Sequence, residues 1–141
     1  MVSALSRSLG LLLLLLGMTM CQQRRSNRAT VNPAALQGTW LQAQEETHGD
    51  TLVYRPNTYK FEPSRGRTGF TIKPAGRFTE FDIAPTDGLI GHDGTWTALN
   101  PNHLRIHLAD NSAPDYTLKI LSLRKNVLEL QRQQSSTTQD D

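Results

Sequence analysis

The segment His103-Leu104-Arg105-Ile106-His107-Leu108 alternates strictly between polar and apolar residues, and that period of two excludes an amphipathic helix for the stretch. The same spacing, rich in Thr, Tyr, Phe, Val and Ile, recurs across residues 36–132, and turn residues separate one run from the next. The runs are 36–46, 51–55, a short piece at 59–62, 69–73, 77–83, 94–99, 103–109, 116–123 and 127–130. No segment reads as a long helix. Short strands joined by turns such as Pro74-Ala75-Gly76, Asn100-Pro101-Asn102 and Arg124-Lys125-Asn126 predict an all-β fold, a small antiparallel meander of about seven or eight strands. Closure into a barrel removes the exposed edges that such a sheet would present. The stretch is long enough for one core and too short for two.

Alternation also assigns faces. Leu104, Ile106 and Leu108 share the core side of their strand, and Trp40, Phe70, Phe81, Trp96, Leu118, Ile120, Leu128 and Leu130 complete the expected core. Phe81 and Ile83 read as inward, which turns Glu80 and Asp82 outward to solvent. The opening strand places Trp40 on one face with Gln42, Gln44 and Glu46, so Trp40 is expected to plug one end of the barrel while its strand leaves the core.

Outside the domain the chain reads differently. Residues 1–20 combine an early Arg7 with the apolar run Leu9 to Met20, a pattern of export rather than of a membrane span, which needs about 20 apolar residues. Cys21, the single cysteine of the chain, follows at once and has no partner for a disulfide. Leu16-Gly17-Met18-Thr19-Met20-Cys21 resembles the lipobox of bacterial lipoproteins, with Met20 where a small residue is usual. The resemblance implies an acylated Cys21 as the first mature residue and a chain held to the cell-envelope membrane; a free thiol after ordinary signal cleavage is the alternative. Residues 21–35, with Arg24, Arg25 and Arg28 among polar residues, read as a tether, and residues 133–141 as a disordered tail. Loss of residues 1–20 removes Arg7 alone among the ionisable side chains, lowering the formal charge from +2 to +1. A near-neutral domain gives no electrostatic footprint for nucleic acid.

Two triplets carry a second resemblance. Gly38-Thr39-Trp40 and Gly94-Thr95-Trp96 are similar to the Gly-x-Trp strand of the lipocalin and calycin group, and the layout of residues 36–132 resembles small bacterial lipocalin-like domains. That likeness implies that Gly38, Trp40, Gly94 and Trp96 belong to a barrel-closing motif. In so short a chain, with no closing helix, the cavity should be small or filled.

Few residues suggest chemistry. His103 and His107 share a strand face yet lie about 13 Å apart, too far for one zinc at about 2.1 Å. His48 and His92 fall in expected turns, so no metal site and no cofactor are expected. Glu80 and Asp82, if solvated, form no acid and base pair. Arg55, Arg65 and Arg67, around a loop containing Gly66, are candidates for contact with an anion or a partner, or for a clamp on that loop. The expectation is a non-enzymatic envelope lipoprotein that binds a small apolar or amphipathic ligand or an envelope protein. The alternative is a protein-interaction or protease-inhibitor module that works through surface loops on a filled barrel. A cavity approaching about 300 Å³ favours a ligand carrier, and a filled interior the surface reader.

Overall fold

A computed structural model describes residues 31–135. They form eight strands: β1 Gly38–Gln42, β2 Leu52–Pro56, β3 Gly69–Ile72, β4 Arg77–Ile83, β5 Leu89–Asn100, β6 His103–Leu108, β7 Tyr116–Arg124 and β8 Val127–Gln134. Every pairing is antiparallel, and the ring closes in the order β1-β2-β8-β7-β6-β5-β4-β3. The antiparallel barrel expected from the alternation is therefore what forms. Strands β3 to β8 follow one another as a meander, while β1 lies between β2 and β3. Those two strands run parallel across β1, so residues 57–68 must cross from one end of the barrel to the other. Among the described residues no helix is long and apolar enough to cross a membrane.

Tight turns set the register. Ala75 and Gly76 take φ of 60° and 70°, and Lys125 and Asn126 take 49° and 61°. Positive φ lets a tight turn follow the twist of its strands, in the two-residue loop 125–126 and the three-residue loop 74–76. With β3 and β4 so joined, Ile72 pairs with Phe78 and Phe70 with Glu80. Phe78 and Glu80 then share the inner side with Phe70 and Ile72, and Phe81 lies over Gly91 on the outside. The face expected for β4 is inverted. Phe81 is half-buried, Ile83 is 43% exposed, and Phe78 takes the core position.

Other boundaries move for identifiable reasons. The opening strand stops at Gln42, and Gln44–Glu46 make a 3-10 turn. Tyr59–Glu62 pair with no strand; Tyr59 and Phe61 pack edge to face, and Arg55 and Arg67 sit over their rings. Strand β5 starts at Leu89, its first half hidden in the sequence by Gly91 and Gly94. Strand β8 runs past 132, because the backbones of Gln133 and Gln134 pair with Thr117 and Tyr116 whatever their side chains. At the other end, Val31 packs into the core and Pro33–Leu36 form a 3-10 turn, so the last residues of the expected tether belong to the domain. Residues 1–20, Cys21 and residues 136–141 lie outside the described residues.

One end of the barrel is shut by Val31, Leu36 and Trp40, and the Trp40 indole N–H donates to the Leu36 carbonyl at 2.8 Å. The expected plug is in place. Phe70 stacks on Phe78 at 5.6 Å and meets Tyr54 at 4.9 Å, filling the middle with aromatic rings. The opposite end, where β4 and β8 finish, is lined by polar groups.

Candidate functional site

The inward side of β8 reads Leu128, Leu130, Arg132, and that of β4 reads Phe78, Glu80. Both strands thus turn from apolar to charged on the same face as they approach the open end. Arg132 Nη1 donates to Glu80 Oε1 at 2.7 Å, with the Glu80 side chain 13% exposed and that of Arg132 35%. The guanidinium lies 3.6 Å from the centroid of the Tyr116 ring. Two tyrosines complete the wall. Burial pushes the Tyr54 hydroxyl up to about 12, against the pull of Arg132. Tyr116 is raised further, by burial first and then by the Glu80 carboxylate. Neither ionises near neutral pH.

A second polar group adjoins the first. His92, opposite Glu80 on β5, donates from Nδ1 to Asp110, and its Nε2 lies 3.6 Å from Asp82. The hydrogen bond to Asp110 raises the His92 pKa above its ordinary value, and the Asp82 and Glu80 charges reinforce it. Asp110 is held down at about 2 by that bond and by Ser112. His92 is thus a member of the open end rather than a turn residue. Among the described residues no group of His, Cys, Asp and Glu has a geometry able to hold a metal ion.

Between Glu80, Asp82, Arg132, Tyr54, Phe70 and Gln42 remains a cavity of about 150 Å³. That is room for about five waters at about 30 Å³ each. Beyond it the β4–β5 hairpin projects past the barrel, with Leu89 opposite Ile83 and Ile90 opposite Asp82, and Ile83, Leu89 and Ile90 exposed. This is the apolar rim of an otherwise polar mouth.

The residues singled out from the sequence divide. The arginines do not assemble into a cluster with vacant donors: Arg55 grips Glu46 in a two-pronged pair at 3.1 and 2.7 Å, and Arg67 binds Glu45 at 2.8 Å and the carbonyls of Gln42 and Glu62. Both fasten the crossing segment and the 3-10 turn to the barrel. The bond to Glu46 raises the Arg55 pKa, and the bond from Arg67 lowers that of Glu45. Arg65 is exposed and forms no ion pair among the described residues.

The two Gly-x-Trp triplets do different work. Gly38 has φ of 131°, which side-chain-bearing residues rarely adopt, and feeds the buried Trp40. Gly94 is needed for close approach, since a Cβ there would lie 2.2 Å from the His107 carbonyl oxygen. Trp96, opposite Ile106, is partly buried against the core, as expected, and donates to the Lys73 carbonyl at 2.9 Å, bracing the β3–β4 turn. His103 bonds Asn100 at 2.9 Å and His107 bonds Asp115 at 2.8 Å, so the pair shares nothing. His48 bonds the Glu46 carbonyl at 3.0 Å. Cys21 lies outside the described residues.

No family model, curated protein or solved structure matches the chain.

Proposed function

We propose that the chain is an exported, non-enzymatic cell-envelope lipoprotein whose small lipocalin-like barrel is a filled scaffold, and that it meets a protein partner through its open end. The observation that carries this reading is the occupancy of the interior. Tyr54, Phe70, Phe78, Tyr116 and the aliphatic residues of β6 to β8 fill the barrel with their own side chains. The cavity at the open end, about 150 Å³, is half the roughly 300 Å³ at which small-molecule sites usually begin. A carrier of apolar ligands has little room here. The rim supports contact instead, because Ile83, Leu89 and Ile90 stand exposed beside a polar mouth, an apolar patch with a polar surround. Export and anchoring at Cys21 rest on the basic start, the apolar run and the lone cysteine of the sequence.

A photo-crosslinking residue at Leu89 of the full chain, expressed in its own envelope, tests the reading. A discrete protein adduct is expected from Leu89, and none from the exposed wall position Arg105. Equal labelling at both positions, or no adduct from positions 83, 89 and 90, would overturn it.

A further inference from the structure

The cavity at the open end carries more charge than the Glu80–Arg132 pair cancels. Two carboxylates, Glu80 and Asp82, and one guanidinium line it, leaving an excess of one negative charge. Adding the neighbours does not change the sign: His92, even when protonated, faces both Asp82 and Asp110. An anion is therefore repelled and a cation attracted. The walls also include Leu52, Phe70 and Leu118, which suit an apolar stem better than a hydrated ion.

A second observation points into the same space. Tyr54 is 8% exposed and lines the cavity, and among the described residues its hydroxyl makes no hydrogen bond. Its oxygen can accept a hydrogen bond from a guest. Size narrows the guest. About 150 Å³ holds about five heavy atoms at the packing of water, which is four methylenes and a nitrogen.

We propose that this cavity receives a primary ammonium on a short alkyl stem, with Asp82 as its counter-ion, the Tyr54 hydroxyl as acceptor, and Phe70 and Leu118 against the stem. A lysine side chain of the partner and a free alkylamine share that chemistry. The lysine source rests on the reading of the open end as a contact surface.

Amide NMR titrations of the purified full chain, in detergent if it is acylated, test the proposal at constant ionic strength. The probes are n-butylammonium, Nα-acetyl-lysine methylamide and the neutral n-butanol. Both ammonium probes should produce saturable shifts around Tyr54, Phe70 and Leu118, and n-butanol should not. Asp82→Asn, at a side chain 57% exposed and so safe for folding, should weaken ammonium binding about two- to five-fold, the scale of a partly screened ion pair. Tyr54→Phe should weaken it as well. Binding of n-butylammonium alone would assign the cavity to free amines. Equal shifts with n-butanol, an unchanged affinity in Asp82→Asn, or no saturable shift from any probe would overturn the proposal. Crosslinking at Leu89 reads the partner separately, so either idea can fail without the other.

Discussion

Arg132→Met removes the counter-ion of an inward-facing carboxylate and keeps much of the stem that lies on Tyr116. Breaking a fully buried pair costs about 3–5 kcal/mol, whereas an exposed pair is worth about 0.2–1 kcal/mol. With Glu80 13% exposed and Arg132 35%, this pair falls between those limits, and about 2 kcal/mol is expected. For a domain of this size each kcal/mol corresponds to about 4–8 °C in Tm. Urea unfolding followed by the fluorescence of Trp40 and Trp96 measures the loss. The double variant Glu80→Leu/Arg132→Met should recover most of it, because an apolar replacement of a buried pair is often neutral or stabilising. If Arg132→Met costs less than about 0.5 kcal/mol, or if the single losses simply add, Glu80 does not depend on Arg132 and the inward assignment of β4 is wrong.

Further outcomes follow from the same geometry. Phe78→Ala should cost about 3–5 kcal/mol and Phe81→Ala about 1–2 kcal/mol by chemical denaturation, the reverse of the order that β4 alternation suggests. Ala75→Asn should stabilise by about 0.5–1 kcal/mol, since Ala75 occupies the left-handed region and Asn enters it more readily. In Asp110→Asn the His92 titration, read by NMR, should fall back towards its ordinary value of 6.5. The raised His92 pKa contributes stability that is complete below 6.5 and is lost as pH rises through the raised value; the depressed Asp110 pKa contributes stability above 3.8 that is lost as pH falls towards about 2. Asp110→Asn should therefore lower the unfolding midpoint most near about pH 5 and least in alkali. An equal loss at all pH values would show that the pair does not matter.

Strand existence was legible in the sequence because the period of two survives wherever one face is buried, as in Leu104, Ile106 and Leu108. The β4 face was not, because Phe78-Thr79-Glu80-Phe81 has an aromatic residue on each side and only the turn at Ala75-Gly76 decides which points inward. The outer aromatic finds cover over Gly91, a cross-strand contact that alternation within one strand cannot report. The open end escaped notice for a related reason. A charged residue continuing an apolar face, Arg132 after Leu128 and Leu130, reads as the end of a strand unless its partner is known. Its partner Glu80 lies 52 residues away in sequence. The arginine loop showed the opposite failing, since its residues are visible in sequence while their partners Glu45 and Glu46 sit in a turn that reads as strand.

Native mass spectrometry of the protein extracted from its own envelope tests the central claim most directly. A filled, anchored scaffold predicts a mass equal to the chain from Cys21 onward plus its acyl groups, with no stoichiometric apolar ligand retained. A mature chain without lipid, or one carrying an apolar molecule too large for about 150 Å³, would contradict it.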